Sequence, residues 1–241
     1  MRVMKTVLKM EIRTQFHSGL TALYLGMPLI WILIIRLLPA SSRQAAALLG
    51  VYADPVMMGS IFTGAFLARE RDQGLFAAWA VTPIGSGEWL AGRVLIIAVQ
   101  GSIGGVMLVL GSGVQADFSL LIPSLFLASS CGALFGLLLA RPFRDILTFI
   151  VAGGGALALV NLPLAGGYIR PGWLWFLTGP AWPGWSALAS ALGLSPANGN
   201  SGRQGAALSV LILTLWAAVL FILVRHIYNK GFFRRPGGGG E

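Results

Sequence analysis

The chain has 241 residues, of which 56% are hydrophobic and only 10% charged, with a formal net charge of +9. Soluble domains carry roughly 25% charged residues, so this chain cannot coat a water-soluble globule, which excludes a soluble enzyme or cytosolic binding module; disorder, which needs low hydrophobicity and high charge, is excluded too. Its 33 glycines show no triplet period and it has one cysteine, which removes collagen and disulfide scaffolds and leaves an all-α, polytopic membrane protein.

Residues 1–17 read as an amphipathic interfacial helix. Met4, Leu8, Ile12 and Phe16 recur every fourth residue, Val3 and Val7 widen the stripe, and Arg2, Lys5, Lys9 and Arg13 form another face. That pattern suits a helix lying along a bilayer, apolar side in the acyl boundary and basic side at phosphates. A surface anchor is one reading, and contact with a cytoplasmic partner is a second.

Six apolar segments follow within a transmembrane domain over residues 18–230. Residues 18–35, 94–116, 118–140, 146–169 and 204–224 carry no charge, and residues 44–68 carry one acid, Asp54. Each is close to the ~20 residues that a spanning helix needs. The first apolar stretch follows a polar helix and lacks a small-residue cleavage site, so no cleaved signal peptide is expected. Six spans put both termini on one side. Of the 17 Lys and Arg, only Arg36, Arg43, Arg170 and Arg203 then fall on the other side, so the positive-inside rule assigns both termini to the cytoplasm. These cations flank spans, which fits anionic lipid rather than nucleic acid. Residues 231–241 form a cytoplasmic basic and glycine-rich tail.

Arg36 and Asp54 are the costly residues, since each carries ~2.5–3.5 kcal/mol at a span centre. At 1.5 Å per residue, Arg36 stands about 25 Å above Gly19 and Asp54 about 22 Å above Arg69. Similar depth allows an ion pair between the first two spans. Asp54-Pro55 also fits an N-cap with proline at the first helical position, and an intramembrane acid can contact substrate.

Residues 69–93 join the second and third spans inside. Arg69, Glu70, Arg71 and Asp72 alternate in charge, Gly74 breaks the helix, and residues 75–81 are apolar but too short to span. Thr82 and Pro83 fit the N-cap and first position of a new helix, with Glu88 near its positive end. Such a short surface helix is suited to take up force from a soluble partner; a plain connecting elbow is the alternative. Residues 141–145 make a tight turn.

Cys131, in an apolar run, reads as a buried inert thiol. Gly153, Gly154 and Gly155 in the fifth span read as a site of close helix approach, and Asn161 and Pro163 mark a break above them. The outer segment, residues 167–205, holds Trp173, Trp175, Trp182 and Trp185 among Pro171, Pro180, Pro183 and Pro196. It is expected to form short outer helices before span six, as an aromatic belt or as an outer gate. His17 and His226 fall at cytoplasmic span ends. None of Lys5, Lys9 and Lys230 follows a glycine-rich phosphate loop, and no GxSxG or HExxH occurs. No catalytic, cofactor or metal site is expected in this chain.

Glu70, Gly74, the apolar stretch to Thr82-Pro83, then Glu88-Trp89-Leu90 and Gly92-Arg93 resemble the permease subunits of ABC-2 type exporters. There the pattern runs E-(x)3-G-(x)7-T-P, then an acid–aromatic–leucine step and a basic residue opening span three. The order of elements agrees, and the size and first ninety residues are most similar to small permeases of the fluoroquinolone-export group. The resemblance implies a homodimer or heterodimer of permeases in a bacterial or archaeal plasma (inner) membrane. Two separate ATP-binding subunits would hold ATP and Mg and dock on a coupling segment containing Arg69, Glu70, Arg71, Gly74, Leu75, Phe76, Trp79, Thr82 and Pro83. The cargo would be an amphiphilic small molecule, drug or lipid, moved along the dimer interface. This coupling stretch departs from the family in being apolar and alanine-rich. A haem-exporter-like permease is an alternative, as is a membrane-embedded enzyme or scaffold, which should cluster polar groups at one depth, where only Arg36 and Asp54 occur.

Overall fold

The computed structural model describes residues 2–17, 19–80, 82, 84–143, 145–165, 179–194 and 203–231, and among these every regular element is helical. In chain order they are α1 (Arg2–His17), α2 (Leu20–Leu37), α3 (Ala40–Tyr52), a π-helical turn (Ala53–Met58), α4 (Gly59–Asp72), α5 (Leu75–Ala80), α6 (Ser86–Ser112), α7 (Phe118–Ala140), α8 (Ile146–Ala165), α9 (Ala181–Ala191) and α10 (Arg203–Gly231).

Three helices are long and apolar enough to cross a membrane: Ser86–Ser112, Phe118–Ala140 and Gly205–Asn229 within α10. The chain is therefore a multi-pass membrane protein with three candidate spans among the described residues. Tyr24–Leu37 within α2 and Ile146–Leu159 within α8 are shorter apolar helical stretches.

The other expected span, residues 44–68, is divided into α3, the π turn and α4. Pro55, which has no N–H to donate, lies inside that turn, and a π turn carries such a missing bond without ending the helix. Tyr52, Ala53 and Gly59 all keep right-handed helical angles (φ −81, −66 and −54). An N-cap needs non-helical backbone, so Asp54 does not start a helix.

α7 is the central helix: half or more of the best apolar window is buried in α6 (50%) and α7 (67%), against 22% in α10. Leu121 and Leu125 of α7 pack with Ile35, Leu48, Val51, Leu108 and Leu188. Further along, Leu134 and Leu137 pack with Leu67, Trp89, Ile97, Phe149 and Val224. The opposite balance on α10 leaves Leu208, Leu211, Leu215, Val219 and Ile222 exposed, the surface a lipid-facing helix presents.

α4 lies hard against α7 at two glycines. A Cβ on Gly132 would meet the Val56 carbonyl oxygen at 2.6 Å, and one on Gly136 would run into the Ser60 backbone. Spaced by four, the two glycines share one helix face and let the backbones meet. The glycine run of α8 does not do this. Gly154 and Gly155 face open space, and Gly153 meets only the ring of Phe149 on its own helix.

Polar backbone ends are met locally. Ser60 and Thr63 hydroxyls donate to Val56 and Gly59 carbonyls at 2.8 and 2.6 Å, which keeps them satisfied without water. Asp117 caps α7 by accepting from the Ser119 amide. Asp145 accepts from the Thr148 amide at 2.7 Å at the start of α8, and that bond holds its carboxyl below the ordinary carboxylate range. The cap is therefore present above that range and is lost as pH falls through the lowered value.

Candidate functional site

The segment expected to couple to a partner leads into the most charged buried position among the described residues. α4 ends where Gly74 takes a left-handed φ of +68°, a turn that costs glycine no Cβ clash. Its amide bonds back to the Arg71 carbonyl at 3.0 Å, and α5 then begins at Leu75. Thr82 closes that helix rather than opening the next, its hydroxyl donating to the Trp79 carbonyl at 2.7 Å. α6 starts at Ser86 instead: Gly85 is the N-cap, and its amide donates to Glu88 Oε2 at 3.0 Å, the glutamate half of a capping box. The expected Thr82 cap loses because a Glu three residues on satisfies the Gly85 amide. Pro83 lies outside the described residues.

Arg93, two turns into α6, is 3% exposed and holds two carboxylates. Its Nε and Nη2 donate to Glu11 Oε1 of α1 at 3.2 and 2.9 Å. Its Nη1 donates to Glu70 Oε2 of α4 at 2.8 Å and its Nη2 to Glu70 Oε1. The guanidinium fork meets Glu70 with two parallel bonds, the strong arrangement for this pair. Arg93 Cζ also lies 4.7 Å from the ring centre of Trp89, within cation–π range. Glu70 is thus a fastening for α4 and α6, facing inward, and not a free surface charge.

Trp89 joins the rest. Phe76 and Trp79 of α5 meet it edge to face at 6.2 and 6.4 Å, and Tyr228 of α10 lies at 5.7 Å. The Tyr228 hydroxyl donates to the Leu137 carbonyl at 3.0 Å. Arg71 donates to the Arg141 and Phe143 carbonyls, both at 2.7 Å, in the α7–α8 turn. α1 closes the junction from the other side, where Val7 packs so tightly on α6 that a Cβ on Gly92 would meet Val7 Cγ1 at 2.6 Å. The ion pairs and rings therefore tie α1, α4, α5, α6, α7 and α10 at one end of the bundle. Displacing α5 would work against its ring contacts with Trp89. We expect Tyr228→Phe to lower stability by about 1 kcal/mol, the usual net worth of one buried hydrogen bond, read as a shift in thermal unfolding in mild detergent.

Of the expected coupling residues, Glu70 and Arg71 face the bundle, Phe76 and Trp79 pack on Trp89, and Arg69, Gly74 and Leu75 are exposed. Glu11, Arg93 and Tyr228 were not singled out as site residues. A lone acid on an otherwise basic α1, in register with Val7 and Gln15, is the signal for Glu11.

Arg36 and Asp54 are not brought together. Arg36 Nε donates at 2.7 Å to the Gly111 carbonyl, satisfying the C-terminal end of α6 as a cation does well there. The Arg36 carbonyl in turn accepts from Arg43 at 3.2 Å. Asp54 is 3% exposed and lies toward α6, its Oδ2 4.0 Å from where a Cβ on Gly104 would stand. Trp182 is buried in α9, and Trp185 meets Tyr52 edge to face at 5.4 Å. Both are packing residues here. Trp173 and Trp175 lie outside the described residues.

Against the start of α9, Tyr52, Val56, Ser60, Cys131, Phe135 and Leu157 line a cavity of about 30 Å³. That is room for roughly one water, against the roughly 300–1,000 Å³ of sites for drug-sized ligands. Among the described residues no group of three or more His, Cys, Asp and Glu is placed to hold a metal ion. Comparison with protein-family models finds no match, and comparison with curated proteins finds none either.

Proposed function

We propose that the chain is the membrane-embedded permease subunit of an ATP-driven exporter of the ABC-2 type. It works as a dimer, homo- or heteromeric, with two separate ATP-binding subunits that hold ATP and Mg. Six spans keep both termini in the cytoplasm of a bacterial or archaeal cell. The observation that carries this reading is the short helix α5, set between α4 and α6 at the end of the bundle and fastened through Trp89 to the Arg93 ion pairs. The spacing of Glu70, Gly74, Thr82 and Pro83 around it supports the same family.

A push on α5 would reach α4 and α6 together through Glu70 and Arg93, and α1 through Glu11. In this reading Glu70 conducts the force and exposed Leu75 stands on the side open to the ATPase. The apolar spans suit an amphiphilic cargo, a drug or a lipid, better than a sugar or an ion.

The test is to purify the tagged chain from native membranes in mild detergent. A soluble ATPase carrying a phosphate loop should accompany it in equal stoichiometry. Leu75→Asp should release that ATPase while leaving thermal unfolding of the chain unchanged, because Leu75 is 38% exposed. A chain that repeatedly comes down alone would refute the proposal.

A further inference from the structure

A second polar feature lies beside the same junction. Arg13, Thr14 and His17 of α1 face Phe66, Arg69 and Glu70 of α4 across a cleft of about 360 Å³, with Gln73 and Leu75 at its edge. Two arginines and a histidine line it, and among the described residues none of these three side chains is in an ion pair or hydrogen bond. The one acid in the wall, Glu70, has both oxygens engaged by Arg93, which also holds Glu11, so this trio sets one net negative charge against the two arginines. The cleft is therefore a cationic recess whose donors have no ligand from the chain itself.

We propose that this cleft binds a phosphate group, and that its source is the headgroup of an anionic phospholipid. Arginine forks match phosphate oxygens in pairs. The lipid source follows from the neighbours. Ile12 and Phe16 of α1, 46% and 64% exposed, stand beside Arg13 and His17, and Phe66 and Leu75 give the cleft apolar walls. A soluble phosphate would gain nothing from that surface, whereas a phospholipid places its glycerol and first methylenes there. Cations beside exposed apolar side chains on one helix are the arrangement that holds a helix at an anionic bilayer. This goes beyond the exporter reading and does not depend on it, because it is tested on the isolated chain.

The experiment is native mass spectrometry of the purified full chain titrated with dioctanoyl phosphatidylglycerol, with dioctanoyl phosphatidylcholine and inorganic phosphate as separate arms. One tightly held phosphatidylglycerol per chain is expected. Arg13→Gln with Arg69→Gln should weaken it about 30-fold, roughly fivefold for each cation near an anionic headgroup. Lys5→Gln with Lys9→Gln removes the same charge from α1 outside the cleft and should leave that adduct in place. Gln73→Glu, which adds one negative charge without removing a cation, should weaken it about fivefold. Equal loss in the lysine pair, or an equally tight phosphatidylcholine adduct, would overturn the proposal. Displacement of the lipid by equimolar inorganic phosphate would assign the cleft to free phosphate and overturn the lipid source.

Discussion

Arg93→Leu is expected to destabilise the chain by about 3–5 kcal/mol, the loss typical when one partner of a buried ion pair is removed. The size follows from what is left behind. Glu11 and Glu70 are 3% and 6% exposed, and without the guanidinium two buried carboxylates lose the cation that they share. Glu11→Gln should cost far less, about 1 kcal/mol, because Glu70 keeps its two-bond pairing and the amide oxygen still accepts from Arg93. Replacing all three by apolar residues of similar volume should recover much of the loss, since the desolvation cost then disappears with the charges. Unfolding in mixed detergent against a denaturing one ranks the variants. If Arg93→Leu is no worse than Glu11→Gln, the three side chains do not act as a unit, and force applied at α5 has no stiff route into α1 and α6.

How far the sequence predicts this arrangement depends on which solvent a face meets. The charge-free runs at 94–116, 118–140 and 204–224 coincide with α6, α7 and α10 because length and apolarity alone define a span. On α1 the pattern leaves one face unread. Ile12 and Phe16 of the apolar stripe stay exposed, as a bilayer-facing stripe does, while Val7, Glu11 and Gln15 are buried. In a bilayer protein an apolar face need not turn inward, so periodicity reveals the faces without telling which one meets protein. Asp54-Pro55 and Thr82-Pro83 fail for another reason. A cap-plus-proline pair looks the same whether it opens a helix, relaxes one through a π turn or closes one, and only the preceding backbone decides. Before Pro55 that backbone stays helical; near Thr82 the cap passes to Gly85 and Glu88.

Gly136→Ala is expected to cost about 1–3 kcal/mol, the usual range for overpacking, and Gly154→Ala to be neutral or mildly stabilising. Three glycines in a row attract attention, but at 100° per residue they point three ways and cannot line one contact. Gly132 and Gly136 lie on one face, and opposite them is backbone, the Val56 carbonyl and the Ser60 main chain. A side chain in the way could rotate aside; main chain cannot, so α4 must move off α7. Gly154 meets open space, and there alanine only removes unfolded-state freedom, a gain of roughly 0.5–1 kcal/mol. The same unfolding assay separates the two outcomes, and equal stability of the two variants would mean that α4 and α7 are not in backbone contact. A further consequence follows from the shared helix. α4 carries Gly64 and Thr63 against its neighbours at one level and Glu70 against Arg93 two turns on, so a shift at Ser60 reaches the ion pair. Gly136→Ala and Glu11→Gln should therefore combine non-additively, by at least 0.5 kcal/mol in a double-mutant cycle, though their side chains never touch.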